Sequence, residues 1–418
     1  MGKRILVNIL VSVGAVLVTL ALIESALFIM AKSDALNPFA TLGFSLEAGS
    51  IRVDELRTRL ETYLTNADSA NYISDASTGW TFQPNAILFD GRLTTNSIGM
   101  RSAREYSEAP AADTIRIAAY GDSFTANPDV KDDEVWTQVL ETALGDRRIR
   151  AEVLNFGVGG YGMDQAFLRW QHVGEGFSAD IVIFGFQPEN LHRNVSVFRP
   201  IYARHTGIPL SKPRYLLHGD ELKLINYPAL PPAKLMEVYE DFDRHPLSAY
   251  EFYYSGASPI PDWWPFPRLA NLINQAIAEP SEPSDDLGPD GERGQLGKAL
   301  ADAFAEDVAI SGASFIVAHL PVQSELASHH NGGRPSYTFL LEHFDATYPY
   351  LPVEALLGPE YLKPRYWGGT GHYGPEINQI VGEALASKIE ACIDDGACPL
   401  PRFDATEPAF RIGSADEA

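Results

Sequence analysis

Apolar residues run almost unbroken from Ile5 to Ile23, with Asn8 the most polar member, and resume after Glu24 as far as Met30 and Ala31. A run of that length predicts a helix able to cross a bilayer, longer than the apolar part of an ordinary signal peptide. No convincing small-x-small cleavage site precedes its end, and a cleaved signal is the less favoured alternative. Lys3 and Arg4 stand before the run, so the expectation for residues 1–31 is a single-pass anchor with a cytoplasmic N-terminus. Everything after it is then exported. From Lys32 to about residue 112 the pattern weakens. Leu56, Leu60 and Leu64 have helical spacing, and the stretches around Gly79–Phe82 and Thr95–Arg101 read as loops and short strands lying on a main domain.

A different rhythm starts at Ile115. Ile115 to Tyr120, Ala151 to Asn155, Ile181 to Phe186 and Ser314 to Leu320 are short, continuously apolar stretches that read as buried strands. A weaker strand is expected near Phe339 to Asp345. Between the strands lie helical patterns: Trp136, Val139, Leu140 and Ala143; then Gln165, Leu168 and Arg169; then Leu296 to Ala309. A last helix carries Ile377, Ile380, Val381, Ala384 and Leu385 on one face. Strands alternating with helices predict a parallel sheet covered on both faces, over about residues 113–390. The rhythm breaks from about 195 to 295, an insertion rich in proline, histidine and aromatics, within which Pro280 to Gly294 reads as an exposed or disordered loop. The insertion's aromatics line a sugar-binding surface, or pack a small subdomain or a membrane-facing patch, packing being the commoner fate by roughly two to one. Residues 391–418 form a tail.

Composition narrows the function. The 418 residues carry a net charge of −23, which argues against a nucleic-acid partner and would repel a strongly anionic substrate unless the pocket were locally basic. The two cysteines, Cys392 and Cys398, have no histidine cluster beside them and make no zinc site. In an exported domain they are free to pair. No phosphate-binding Gly-x-x-x-x-Gly-Lys and no dinucleotide fingerprint is present.

The chemistry-bearing residues follow the strand ends, where ligands bind in open parallel sheets. Gly121-Asp122-Ser123 places a serine at a strand-to-helix turn, on rigid backbone with its hydroxyl exposed. Phe156 to Gly162 is a glycine-rich turn after the second strand, and Gln187-Pro188-Glu189-Asn190 follows the third. Gly371-His372 opens the last helix. Acyl transfer needs a nucleophile, a base and donors aimed at the developing oxyanion. Ser123 can be the first and His372 the second. The donors can be the Ser123 amide, the Gly160 amide and the side-chain amide of Asn190.

This ordered set resembles the SGNH/GDSL hydrolase superfamily: Gly121-Asp122-Ser123-Phe124 as the nucleophile block, Asn155 to Gly160 as the glycine block, Gly185 to Asn190 as the asparagine block and Gly371-His372 as the histidine block. The resemblance spans roughly Asp113 to Ile389 with the insertion outside it. It implies a flavodoxin-like three-layer α/β/α sandwich, a serine esterase or O-acyltransferase acting on an acylated small molecule or carbohydrate, and no cofactor or metal. Two positions depart from the family pattern. Glu189 precedes and Leu191 follows Asn190, where the family has Asn-Asp, with Asn194 the less favoured donor. Gly369 and Thr370 stand where the family's histidine block carries its acid. The orienting group for His372 is then a backbone carbonyl or a remote acid such as Glu189 or Asp345. The missing acid also motivates a rival expectation, a catalytically degenerate binding or assembly protein that kept the fold.

Overall fold

A computed structural model of the chain describes residues 2–30, 53–203, 207–254, 264–277 and 286–394. Its centre is a five-stranded sheet: β1 (Ile115–Gly121), β2 (Ala151–Asn155), β3 (Ile181–Phe186), β4 (Ser314–His319) and β5 (Tyr350–Pro352). The strands lie in the order β2-β1-β3-β4-β5, all parallel, with Gly121 opposite Gly185 and Ser314 opposite Ile181. That is the doubly wound order in which the chain reverses direction beside the first strand, leaving a crevice at the strands' carboxyl ends.

Alternation along each strand supplies both faces. Ala118, Tyr120, Val182, Phe184 and Val317 point to one side, against α3 (Met163–Arg169) and α4 (Glu292–Ile310). Ile117, Ala119, Ile181, Ile183 and Ile316 point to the other, against α2 (Trp136–Asp146) and α5 (Pro375–Asp394). Strands buried on both sides need apolar residues at every position, which explains their unbroken runs. Residues 339–345, expected as a strand, are instead inside a helix, Thr338–Thr347. Its Leu340 and Phe344, four apart, reach the same core, and the edge strand comes afterwards at Tyr350–Pro352. The stretch expected as an exposed or disordered loop over 280–294 is partly outside the described residues. The described part packs: Asp286 is buried, accepts from the Glu292 amide at 3.0 Å and pairs with Arg293, which stands in the first turn of α4.

A third apolar cluster covers the crevice end of the sheet. It joins Leu56, Leu60, Trp80 and Phe82 from the N-terminal segment to Val158 and Tyr161 of the glycine turn and to Phe198, Tyr239 and Phe242 of the insertion. Most of the insertion's described aromatics therefore pack, whereas Tyr227, Tyr250, Phe252 and Trp264 stay exposed.

The first helix, α1 (Gly2–Met30), is long and apolar enough to cross a membrane, and nearly all its described side chains are exposed. Glu24 has a specific partner: its carboxylate accepts from the amides of Arg268 and Leu269, each at 3.0 Å, capping the helix Pro267–Ile277. At the other end Cys392 is disulfide-bonded, while Cys398 lies outside the described residues.

Candidate active site

The nucleophile turn is held from several directions. Gly121 has φ +155°, and a Cβ there would fall 2.7 Å from the Gly185 carbonyl, so only glycine lets β1 turn this close to β3. Asp122, wholly buried, caps the next turn by accepting from the Phe124 amide at 2.8 Å and also pairs with Arg193. Ser123 begins that turn, partly exposed. Asn155 donates to the Thr125 carbonyl at 2.8 Å and accepts from the Gly157 amide at 3.0 Å, joining the nucleophile and glycine turns.

The glycine turn is pinned by the segment before the sheet. Trp80 donates to the Gly159 carbonyl at 3.0 Å, and Tyr161 donates to the Trp80 carbonyl at 2.7 Å. Gly160 has φ +80°. Among the described residues, the Ser123 and Gly160 amides donate no hydrogen bond, as free oxyanion donors should. Asn190 is buried at the start of the short helix Glu189–Asn194, its carbonyl oxygen accepting from the Gln187 amide at 2.8 Å. Its amide donates to the Tyr161 carbonyl at 2.9 Å and, more weakly, to Asp122 at 3.3 Å. The longer bond is the one a developing charge could draw away. Asn194 is turned elsewhere, accepting from the Met163 amide at 2.8 Å.

His372 lies in a tight loop just before α5, closed by the Gly368 amide donating to the His372 carbonyl at 2.7 Å. Its ring stands 5.0 Å from the Phe124 ring, which places it against the residue after Ser123. Ser123 and His372 are not hydrogen-bonded to each other, a gap that unliganded sites commonly close when substrate binds. Asn127 ties the two loops together, donating to the Tyr373 carbonyl at 2.9 Å and to Asn378 at 3.2 Å.

An acid does stand beside the histidine, and it is neither Glu189 nor Asp345. Asp129 Oδ2 lies 3.3 Å from His372 Nδ1 and accepts from the Thr370 amide at 2.9 Å and the Thr370 hydroxyl at 2.8 Å. The Thr370 oxygen is in turn 2.7 Å from Nδ1. With the hydroxyl proton given to Asp129, that oxygen accepts from Nδ1–H, which leaves Nε2 as the basic nitrogen. Gly368 makes room for this acid, since a Cβ there would collide with the Asp129 carboxyl, 2.4 Å from Oδ2. Burial works to raise the Asp129 pKa. The hydrogen bonds from His372 and from the Thr370 hydroxyl and amide outweigh it and hold the carboxyl well below the usual range. Arg101 fixes the loop carrying Asp129 by donating to the Asn127 carbonyl at 2.5 Å and the Val130 carbonyl at 2.9 Å, and by pairing with Asp132 at 3.1 Å.

Glu189 instead lines a cavity of about 590 Å³ with Gln187, His192, His319 and Glu354, to one side of the nucleophile turn. His319 is paired there with Glu354 at 2.8 Å. Asp345 is on the helix Thr338–Thr347, exposed. His192 is packed under Tyr253, whose hydroxyl donates to the His192 carbonyl at 3.0 Å, and His205 lies outside the described residues.

Asp129 was hidden in the sequence because it lies six positions after Ser123, beyond the nucleophile block, whereas an acid was sought beside His372 or in Glu189 and Asp345. No family model matches the chain, and no curated protein matches it. Among solved structures, TesA is similar at 9% identity and TM-score 0.36, covering 66% of this chain and 98% of TesA. LAE5, an alpha/beta hydrolase enzyme from the metagenome of Lake Arreo, Spain, is similar at 12% identity and TM-score 0.34, covering 67% and 96%. At these scores and identities the likeness is too distant to assign an activity.

Proposed function

We propose that the chain is a serine ester hydrolase of the SGNH/GDSL type, removing O-acetyl groups from cell-envelope or exported carbohydrate, with α1 as its membrane anchor and the catalytic part on the exported side. The observation that carries the chemistry is the Asp129–Thr370–His372 cluster packed against the turn that presents Ser123. The substrate and location rest on the anchor and on the superfamily's frequent use on such esters, a family analogy.

His372 Nε2 takes the proton of the Ser123 hydroxyl as Oγ bonds to the ester carbonyl carbon. The carbonyl oxygen gathers charge and is met by the Ser123 and Gly160 amides and the Asn190 side chain. His372 returns the proton to the departing alcohol oxygen as the carbon–oxygen bond breaks, leaving acetyl on Ser123. Water repeats the sequence, giving acetate and free serine. Asp129 keeps Nδ1 protonated and stabilises the imidazolium in both halves. The degenerate-protein reading was motivated by a missing acid, and Asp129 removes that motive.

The test uses full-length protein in detergent with a fluorophosphonate probe and a panel of acetylated sugars. Wild type should label at Ser123 and release acetate, and Ser123→Ala should do neither while keeping its thermal transition. Acetate release by Ser123→Ala at the wild-type rate would sink the proposal.

A further inference from the structure

Net charge of −23 makes an anionic substrate an unfavourable guest unless the site itself is basic. The crevice contains that exception. Arg199 is 8% exposed, and its Nε and Nη1 are buried without hydrogen-bond partners. Among the described residues no carboxylate is within ion-pair distance of it. Its guanidinium lies along Gly160: a Cβ on that glycine would fall 3.2 Å from Nη2, 3.3 Å from Cζ and 3.4 Å from Nε. The guanidinium also lies over the Tyr202 ring, 5.5 Å from Cζ. Arg193 adds a second cation. Its Nη1 is used by Asp122 and, at 3.0 Å, by the Tyr161 carbonyl, but its Nε is also buried without a partner. Burial first, and then Arg193, pull the Arg199 pKa down to about 9, against opposing pulls from Glu189, Tyr72 and Asp122.

A buried guanidinium that lacks both a counter-charge and hydrogen-bond acceptors is costly to fold. Other buried arginines of this chain are better satisfied: Arg169 and Arg214 each have an Nε without a partner, but Arg169 donates to the Ile98 carbonyl at 3.0 Å and Arg214 pairs with Glu292. Arg101 and Arg116 are as deeply buried, and each has a carboxylate and several carbonyls. Arg199 differs from them beside the one glycine whose amide is offered to an oxyanion.

We propose that Arg199, with Arg193 behind it, forms an anion subsite next to the Gly160 amide, so that the ester substrate carries an oxyanion (a carboxylate or a phosphate) close to the scissile acyl group. The proposal rests on the hydrolase reading for the word "substrate", but the subsite itself does not. A planar guanidinium suits a carboxylate or phosphate, which can take two parallel hydrogen bonds from it. The anion supplies the acceptors that Nε and Nη1 lack.

The experiment measures thermal unfolding of full-length protein in detergent at constant ionic strength with sodium glucuronate, inorganic phosphate or glucose, together with fluorophosphonate labelling of Ser123. Glucuronate or phosphate should raise the transition temperature and glucose should not. Which anion is effective identifies the source as a uronate or a phosphorylated substrate. Arg199→Gln should weaken that binding roughly 10- to 100-fold, the size expected for hydrogen bonds to a charged group, and Arg199→Lys should lose less. Without ligand, Arg199→Gln should melt no lower than wild type, because it removes an unpaired buried charge. The subsite is overturned if neither anion stabilises wild type, if Arg199→Gln binds as tightly as wild type, or if its ligand-free transition falls well below wild type. Arg199-dependent binding without Ser123 labelling would sink the hydrolase reading and leave the subsite standing. Labelling without anion binding would do the reverse.

Discussion

Asp129→Asn separates charge from shape at the histidine. The substitution keeps the side chain's volume and an oxygen able to accept from the Thr370 amide and hydroxyl, now bonded at 2.9 and 2.8 Å. It removes the negative charge 3.3 Å from Nδ1. An imidazolium and a carboxylate whose charges centre about 4 Å apart attract by about 4 kcal/mol at an effective dielectric of about 20. That stabilisation exists only once His372 is protonated, so its loss falls on kcat, by roughly three powers of ten. Thr370→Val keeps the charge and removes the hydroxyl relay, a single hydrogen bond of about 1 kcal/mol, so it should cost about tenfold or less. Turnover of an acetyl ester by full-length protein in detergent measures both, with the thermal transition of each variant as a control on folding. An Asp129→Asn enzyme within a few-fold of wild type would refute Asp129 as the partner, and Thr370→Val as the more damaged of the two would make the hydroxyl the principal one.

The same carboxyl should show in stability. Its pKa is depressed in the folded state, so its contribution is present above the ordinary aspartate value near ~3.9 and is lost as pH falls below it. The wild-type advantage over Asp129→Asn in thermal unfolding should therefore be full at pH 6 and shrink on acidification; an advantage that grows with acid would reverse the sign. Asn190→Ala should lower kcat roughly a hundredfold or more with little change in KM, the usual size for one oxyanion donor, and unchanged kcat would move that role elsewhere. Asp164 and Lys212 form a buried pair between α3 and the insertion. Asp164→Leu leaves the lysine charge alone and should cost about 3–5 kcal/mol in denaturant unfolding, whereas a loss under about 1 kcal/mol would mean the lysine finds another partner.

The sheet was legible because strands covered on both faces must be apolar throughout, and four of the five stood out for that reason. The fifth did not. Tyr350–Pro352 is only three residues long, and the stronger apolar pattern before it belongs to a helix that places Leu340 and Phe344 on one face. Ser123, Gly160, Asn190 and His372 were legible because each follows a strand or opens a helix, so local punctuation marks it. Asp129 and Arg199 carry no such mark. The first is defined by a loop that Arg101 folds against the histidine loop, and the second by which neighbours fail to reach it. Both are facts of tertiary contact. Residues 53–101 offered no chemistry to read, since Trp80 acts through the backbone of Gly159.

The bonds from Asn127 to Tyr373 and Asn378 join parts of the chain 246 and 251 positions apart. Synthesis runs from the N-terminus at roughly 5–20 residues per second, so His372 leaves the ribosome tens of seconds after Ser123. Throughout that interval the proposed nucleophile has Asp129 nearby but no base, and the start of α2 lacks the Asn378 side-chain carbonyl that receives the Trp136 amide. In the proposed hydrolase a nascent or C-terminally truncated chain therefore holds an inert hydroxyl. On the proposed roles, the late arrival of His372 leaves Ser123 without its base until nearly the whole chain has been made.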